Sequence, residues 1–204
     1  MKRRSPTVSI VTSATAAAPV RLVATAIAVV SLLAFLAAGR ADGAGRSSSA
    51  YLAPAGACPS ADDASADSPT QARAIACLVN WARAQDRRGR LVRRSALRRA
   101  AELKGQRVAS CGQFSHTPCG TPVTAGVQAA GYHYATFGEN LYAGTWGAVS
   151  ARDVVRAWLE SPPHRANMLS PSYRDVGAAA VRANGLLGGS DAVVVWTATF
   201  GSRR

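Results

Sequence analysis

Apolar residues recur along this chain in two rhythms, and each predicts a different kind of element. Between Ser68 and Gly89, Ile75, Leu78, Val79 and Ala82 fall at i, i+3, i+4 and i+7, the stripe of an amphipathic helix. Ser68 can cap this helix, Pro69 suits its first position, and Gly89 stops it after Asp86, Arg87 and Arg88. A second helix is expected from Ser95 to Ser110 or Cys111, with Leu97, Ala100, Ala101, Lys104 and Val108 along one side. A short one covers Val123 to Ala130 and ends at Gly131. Ser150 and Asp153 have capping-box spacing ahead of the buried stripe Val154, Val155, Trp158 and Leu159. Pro162 and Pro163 end that helix just after Glu160, and Pro163 to Leu169 has room for one further turn.

The other rhythm is alternation. Tyr132 to Tyr142 alternates aromatic and small residues as an extended segment does, and the Gly-Thr-Trp-Gly that follows is a turn. Tyr173 to Ala183 reads as a strand through Val176, Ala178 and Ala180. Asn184 to Asp191 is a glycine-rich hairpin loop, and Ala192 to Phe200 is a β-branched and aromatic strand. Helices come first and a hairpin last. That order predicts an α+β domain with helices packed on an antiparallel sheet and excludes a βαβ repeat. No internal repeat, phosphate loop or Rossmann fingerprint occurs. Trp81, Trp158 and Trp196 are expected in the core, and Trp146 in an exposed loop.

The N-terminus has a different texture. Lys2, Arg3, Arg4 and Arg21 precede a charge-free apolar run from Leu22 to Ala38, followed by Gly39, Arg40 and Ala41, which is the pattern of a secretory signal peptide over residues 1–41. The alternative is an uncleaved membrane anchor facing outside, because an apolar run of about 17 residues reaches the lower limit for spanning a bilayer. Residues 42–68 are Ala, Gly, Ser, Pro and Asp without periodicity and are expected to be a disordered linker. The folded domain is then 69–204.

Charge bears on partners and leaves the fold unchanged. The 204 residues carry a net charge of +13, and residues 1–41 hold five basic and no acidic residues, so the remainder stays basic. Residues 87–107 contain nine basic residues and one acid, read as a solvated face, with a patch for polyanions as the functional alternative. Aromatic residues that would stack on bases are absent from that stretch, so nucleic acid is not expected as a partner. Four cysteines in an exported chain imply two disulfides with three connectivities. Pairing of neighbours, Cys58 with Cys77 and Cys111 with Cys119, is the simplest.

Candidate chemistry collects at element boundaries: His116 in a Gly- and Pro-bounded loop, Glu139 in Phe-Gly-Glu-Asn-Leu-Tyr, Glu160 at a helix end, and His164 after the proline pair. Two imidazoles and two carboxylates suit a divalent cation or a hydrogen-bonded acid and base set, but their spacing matches no local metal motif. Glu139 has the competing reading of a buried structural acid. His164 has that of a loop fastener, and His133 that of a surface or packing residue. Ser115 beside His116 points to the opposite side of an extended segment and is not read as a nucleophile.

The motifs Phe-Ser-His (114–116), Gly-Glu-Asn-Leu-Tyr (138–142), Trp-Leu-Glu-Ser-Pro-Pro-His-Arg-Ala-Asn-Met-Leu (158–169), Tyr-Arg-Asp-Val-Gly (173–177) and the closing Val-Val-Val-Trp-Thr-Ala-Thr-Phe-Gly occur in one order. In that order they resemble the CAP superfamily (cysteine-rich secretory proteins, antigen 5, pathogenesis-related class 1), in its short bacterial exported SCP-domain branch. The likeness covers about residues 70–201. It implies a three-layer αβα sandwich, a secreted, extracellular bacterial protein, and a cleft lined by His116, Glu139, Glu160 and His164. Pro163 departs from the glycine common before the histidine.

The resemblance favours a binding module whose cleft takes a divalent cation (zinc first, then calcium or magnesium) or a small lipid, peptide or cell-envelope polymer, without turnover. The chain is expected to be monomeric and to meet a membrane only through its N-terminal segment or by surface association. The alternative is a metal-dependent hydrolase of peptide or envelope substrates, with Glu139 or Glu160 as base.

Overall fold

A computed structural model describes residues 47–186 and 192–204. The apolar run at Leu22 to Ala38 and most of the loop Asn184 to Asp191 lie outside the described residues. No described helix is long and apolar enough to cross a membrane.

Helix α1 (Ser68–Gln85) starts one residue beyond its cap: the Asp67 carboxylate accepts from the Thr70 backbone N–H at 2.8 Å. Its stripe residues Ile75, Leu78, Val79 and Ala82 are buried, as the spacing predicts. The two-residue strand β1 (Val92–Arg93), helix α2 (Ser95–Cys111) and helix α3 (Ala125–Ala129) follow, then the long strand β2 (Tyr134–Thr145). Helix α4 (Ala151–Glu160) opens with the capping box foreseen, the Ser150 and Asp153 side chains each bonding the other's backbone. The proline pair initiates α5 (Pro162–Leu169), because a ring without an N–H is tolerated in a first turn. Strands β3 (Asp175–Arg182) and β4 (Val193–Arg203) close the chain.

The sheet has the order β1-β3-β4-β2. Strands β2, β4 and β3 pair antiparallel in turn, but β1 pairs in parallel with β3, so the sheet is mostly and not wholly antiparallel. The turn after α1 carries the chain to the free edge of β3, where Val92 N–H donates to Arg174 O at 2.8 Å and Arg94 N–H to Val176 O at 2.9 Å.

Alternation along β3 and β4 divides the core. Val176, Ala178, Ala180, Trp196, Ala198 and Phe200 pack with α1, α4 and α5 on one face. On the other, Val193 and Val195 join Val108 of α2, while Leu97 and Ala100 of α2 pack with Val127 of α3. Helices on both faces make a three-layer α+β sandwich. Gly177 marks the closest approach of the layers: a Cβ there would lie 2.0 Å from the Arg98 backbone nitrogen. Trp158 and Trp196 are buried, Trp81 is half-buried, and Trp146 is half-buried with the Arg182 guanidinium 4.2 Å from its ring centre, not free in a loop.

Residues 47–68 differ from the expectation of a disordered linker. A 3-10 turn (Ser48–Tyr51) and a run of turns bury Tyr51, Ala53, Cys58 and Ala61 against α1 and α4. A disulfide and an arginine are prominent among the links that hold the segment. Cys58 is bridged to Cys77, and the Arg152 guanidinium donates to the Ala53 carbonyl and the Asp62 carboxylate. The second bridge joins Cys111 to Cys119 around the His116 loop.

Candidate functional site

The site is built on β2. Gly138 has to be glycine because a Cβ would sit 2.3 Å from the Tyr173 hydroxyl, which donates to Phe137 O at 3.0 Å. The next residue, Glu139, turns to the α2 face of the sheet with its side chain 4% exposed. A carboxylate so buried requires compensation, and it has two partners. His116 Nδ1 lies 2.8 Å from Glu139 Oε1, and Lys104 Nζ lies 3.3 Å from the same oxygen. The Lys104 ammonium also donates to the His116 backbone carbonyl, so one cation fastens both the acid and the loop that carries the imidazole.

Lys104 was not among the sequence-derived site residues, although its position on the buried stripe of α2 signalled it. It and Lys2 are the chain's two lysines, against 22 arginines. Its side chain is 5% exposed, so an ion pair is formed away from solvent, where opposite charges interact most strongly and neither is dispensable.

His164 stands on α5 beside this group. Burial lowers the pKa of its ring below the ordinary 6.5, and the nearby His116 ring adds a smaller electrostatic contribution in the same direction. Its backbone carbonyl accepts from Asn140 Nδ2 at 3.0 Å. Asn167 Nδ2 in turn donates to Glu139 O at 3.2 Å and to Asn140 Oδ1 at 2.9 Å. These bonds clamp α5 against β2. Thr199, the ladder partner of Glu139, and Thr197 bring two buried hydroxyls that are unpartnered among the described residues.

Glu160 ends α4 in an exposed position, and its carboxylate forms no hydrogen bond or ion pair among the described residues. The structure thus bonds His116 to Glu139 and adds Lys104, sets His164 within electrostatic reach of His116, and leaves Glu160 without a bond to the others. His133 is exposed.

Metal chemistry can be tested on the donor set. A tetrahedral centre takes three or four converging nitrogen, sulfur or oxygen ligands. Among the described residues no three His, Cys, Asp or Glu side chains are arranged to hold an ion. Glu139 Oε1, the oxygen nearest the imidazole, already faces an ammonium, and a divalent cation on the same atom would meet a like charge. The residues as placed do not fit a resident metal.

Residues 77–200 match the model of the cysteine-rich secretory protein family, CAP. A Bacillus subtilis (strain 168) protein, YkwD, described as uncharacterized, is 29% identical over 106 residues, 51% of this chain and 36% of its own length. An extracellular SCP-domain protein from Bacillus anthracis str. Ames superposes with a TM-score of 0.56 at 18% identity, over 67% of this chain and 41% of that one. An outer surface protein of Borrelia burgdorferi gives 0.55 at 18% identity, over 64% of this chain and 90% of that one. The chain therefore spans less than half the length of the two Bacillus proteins, and the structural likenesses speak to the fold.

Proposed function

The chain belongs to the cysteine-rich secretory protein (CAP) family, and from that premise we propose that it is an exported binding module whose cleft takes a small polar ligand of the cell envelope without turning it over. The observation that carries this reading is the buried Lys104–Glu139 pair. An acid held by an ammonium and an imidazole is a poor general base and a poor metal ligand, but it is a rigid support for the imidazole beside it. His116, whose side chain is 51% exposed, presents the remaining ring nitrogen to solvent. His164 on α5 adds a second imidazole, whose pKa burial lowers. Metal-assisted hydrolysis has less support, because its two candidate bases are an ion-paired acid and an exposed glutamate.

Calorimetry with zinc, calcium and magnesium tests the reading. The expected result is no stoichiometric cation binding by the wild type. Zinc binding that disappears in His116→Ala plus His164→Ala would replace the reading with a metal site. A complementary arm titrates soluble peptidoglycan fragments while the imidazole resonances are followed by NMR. Shifts at His116 and His164 are expected, and fragment binding that leaves both unmoved places recognition elsewhere.

A further inference from the structure

The corner where α1, β1 and the start of α2 meet holds a groove that the cleft does not share. One part is a cavity of about 570 Å³ with Arg73, Arg93, Arg94 and Arg98 around it and Ala72, Ala178 and other small residues as its floor. A second part of about 420 Å³ shares Arg73, Ala76 and Arg93 with the first and continues past Arg90. The two therefore adjoin along Arg73, Ala76 and Arg93, and five arginines line this paired groove. Their charges are only partly met. Arg98 pairs with Glu102, and Arg94 Nε donates to Asp175 Oδ1 at 2.8 Å. Among the described residues, Arg90 and Arg93 pair with no acid.

Arg94 shows that the array is built and not merely accumulated. Asp175 is 3% exposed and also accepts from the Tyr132 hydroxyl at 2.8 Å, so it fixes the Arg94 stem from behind. The terminal nitrogens of Arg94 form no bond within the described residues. A planar fork held through Nε with its outer donors free is the geometry that accepts phosphate oxygens two at a time.

We propose that this groove binds a linear phosphate polymer, one strand lying along Arg98, Arg94, Arg93, Arg73 and Arg90. Guanidiniums repeated along a channel match charges repeated along a chain, which one compact anion does not supply. The channel is concave, so a flat bilayer surface reaches its rim and not its floor. No aromatic residue lines it, so bases have nothing to stack on, and single-stranded nucleic acid gains no more than its phosphates provide.

The test uses the full chain, with short-chain inorganic polyphosphate as the probe, titrated by calorimetry at several salt concentrations. Arg90→Ala plus Arg93→Ala removes the two unpaired charges without touching an internal bond. It is expected to weaken binding about tenfold and to lower the slope of log affinity against log salt by about two. Arg107→Ala plus Arg204→Ala, outside the groove, subtracts the same charge and is expected to change affinity by less than about twofold. Equal losses in the two double variants would mean that net charge alone attracts the polymer and would overturn the proposal. So would tighter binding to phosphatidylglycerol vesicles than to polyphosphate, or a thymidine oligonucleotide binding as tightly per phosphate.

Discussion

Lys104 and Glu139 meet almost out of reach of bulk water, so each is tolerable largely because of the other, with His116 bonding both. Glu139→Gln leaves the ammonium uncompensated and is expected to lower the unfolding free energy by about 3 kcal/mol, read from urea denaturation. Lys104→Met combined with Glu139→Gln is expected to recover much of that loss, because an apolar side chain needs no partner. A second readout is chemical. Beyond residue 41, Lys104 is the one lysine, so acylation of its amine, followed by mass spectrometry, reports exposure of a single group. Acylation is expected to be slow in the native protein and faster in Glu139→Gln. At this scale the sequence was informative in an indirect way. A glutamate inside an apolar strand implied that a partner existed, whereas Lys104 was read only as one member of the α2 stripe. That the two form one contact depends on how α2 crosses the sheet, which periodicity along the chain does not encode.

Elements are held by their ends and by their closest approaches. The α4 capping box places Asp153 under opposing influences. Burial raises its carboxyl, but hydrogen bonds from the Ser150 side chain and backbone, with the Arg156 charge, outweigh burial and hold the pKa below the ordinary 3.8. The folded state thus binds this proton less readily than the unfolded chain. The stabilisation is complete above 3.8 and is lost as pH falls through the depressed value. Asp153→Asn is expected to flatten the acid limb of the stability profile below about pH 4, measured by urea unfolding at stepped pH. Gly177→Ala tests the crossing of α2 over β3. A Cβ 2.0 Å from the Arg98 nitrogen and 2.1 Å from the Leu97 carbonyl carbon meets backbone, which has no rotamer with which to yield. The expected loss exceeds about 3 kcal/mol, visible as a lower urea midpoint. Whereas α1 is capped by Asp67 and not by the expected Ser68, the start of α4 was legible because a capping box is local chemistry. The two-residue β1 was not, since it exists through backbone bonds to β3 and leaves no side-chain rhythm.

Over the whole molecule, the first disulfide and Arg152 decide how much chain belongs to the fold. Residues 47–66 bury small side chains with no period, so composition reads them as a tail although they seal the α1 and α4 side of the core. The cysteine at position 58 was the visible hint, and the reach of Arg152 back to Ala53 and Asp62 was not visible at all. Cys58→Ser plus Cys77→Ser opens a link across a separation of 19 residues and is expected to cost about 3 kcal/mol, measured by thermal or urea unfolding against the oxidised wild type. Limited proteolysis is expected to cut the variant first within residues 47–66, since that segment loses its covalent hold on α1.

The amide clamp between β2 and α5 carries a consequence for how such domains diversify. Asn140 holds the His164 carbonyl, and Asn167 holds both Asn140 and the Glu139 carbonyl. Residues 137–142 and 164–169 are therefore one heritable unit split across the chain. A chimera that imports either segment from a distant relative without its counterpart would present mismatched amides and let α5 swing away from the strand, whereas transplanting both together would carry the site across intact.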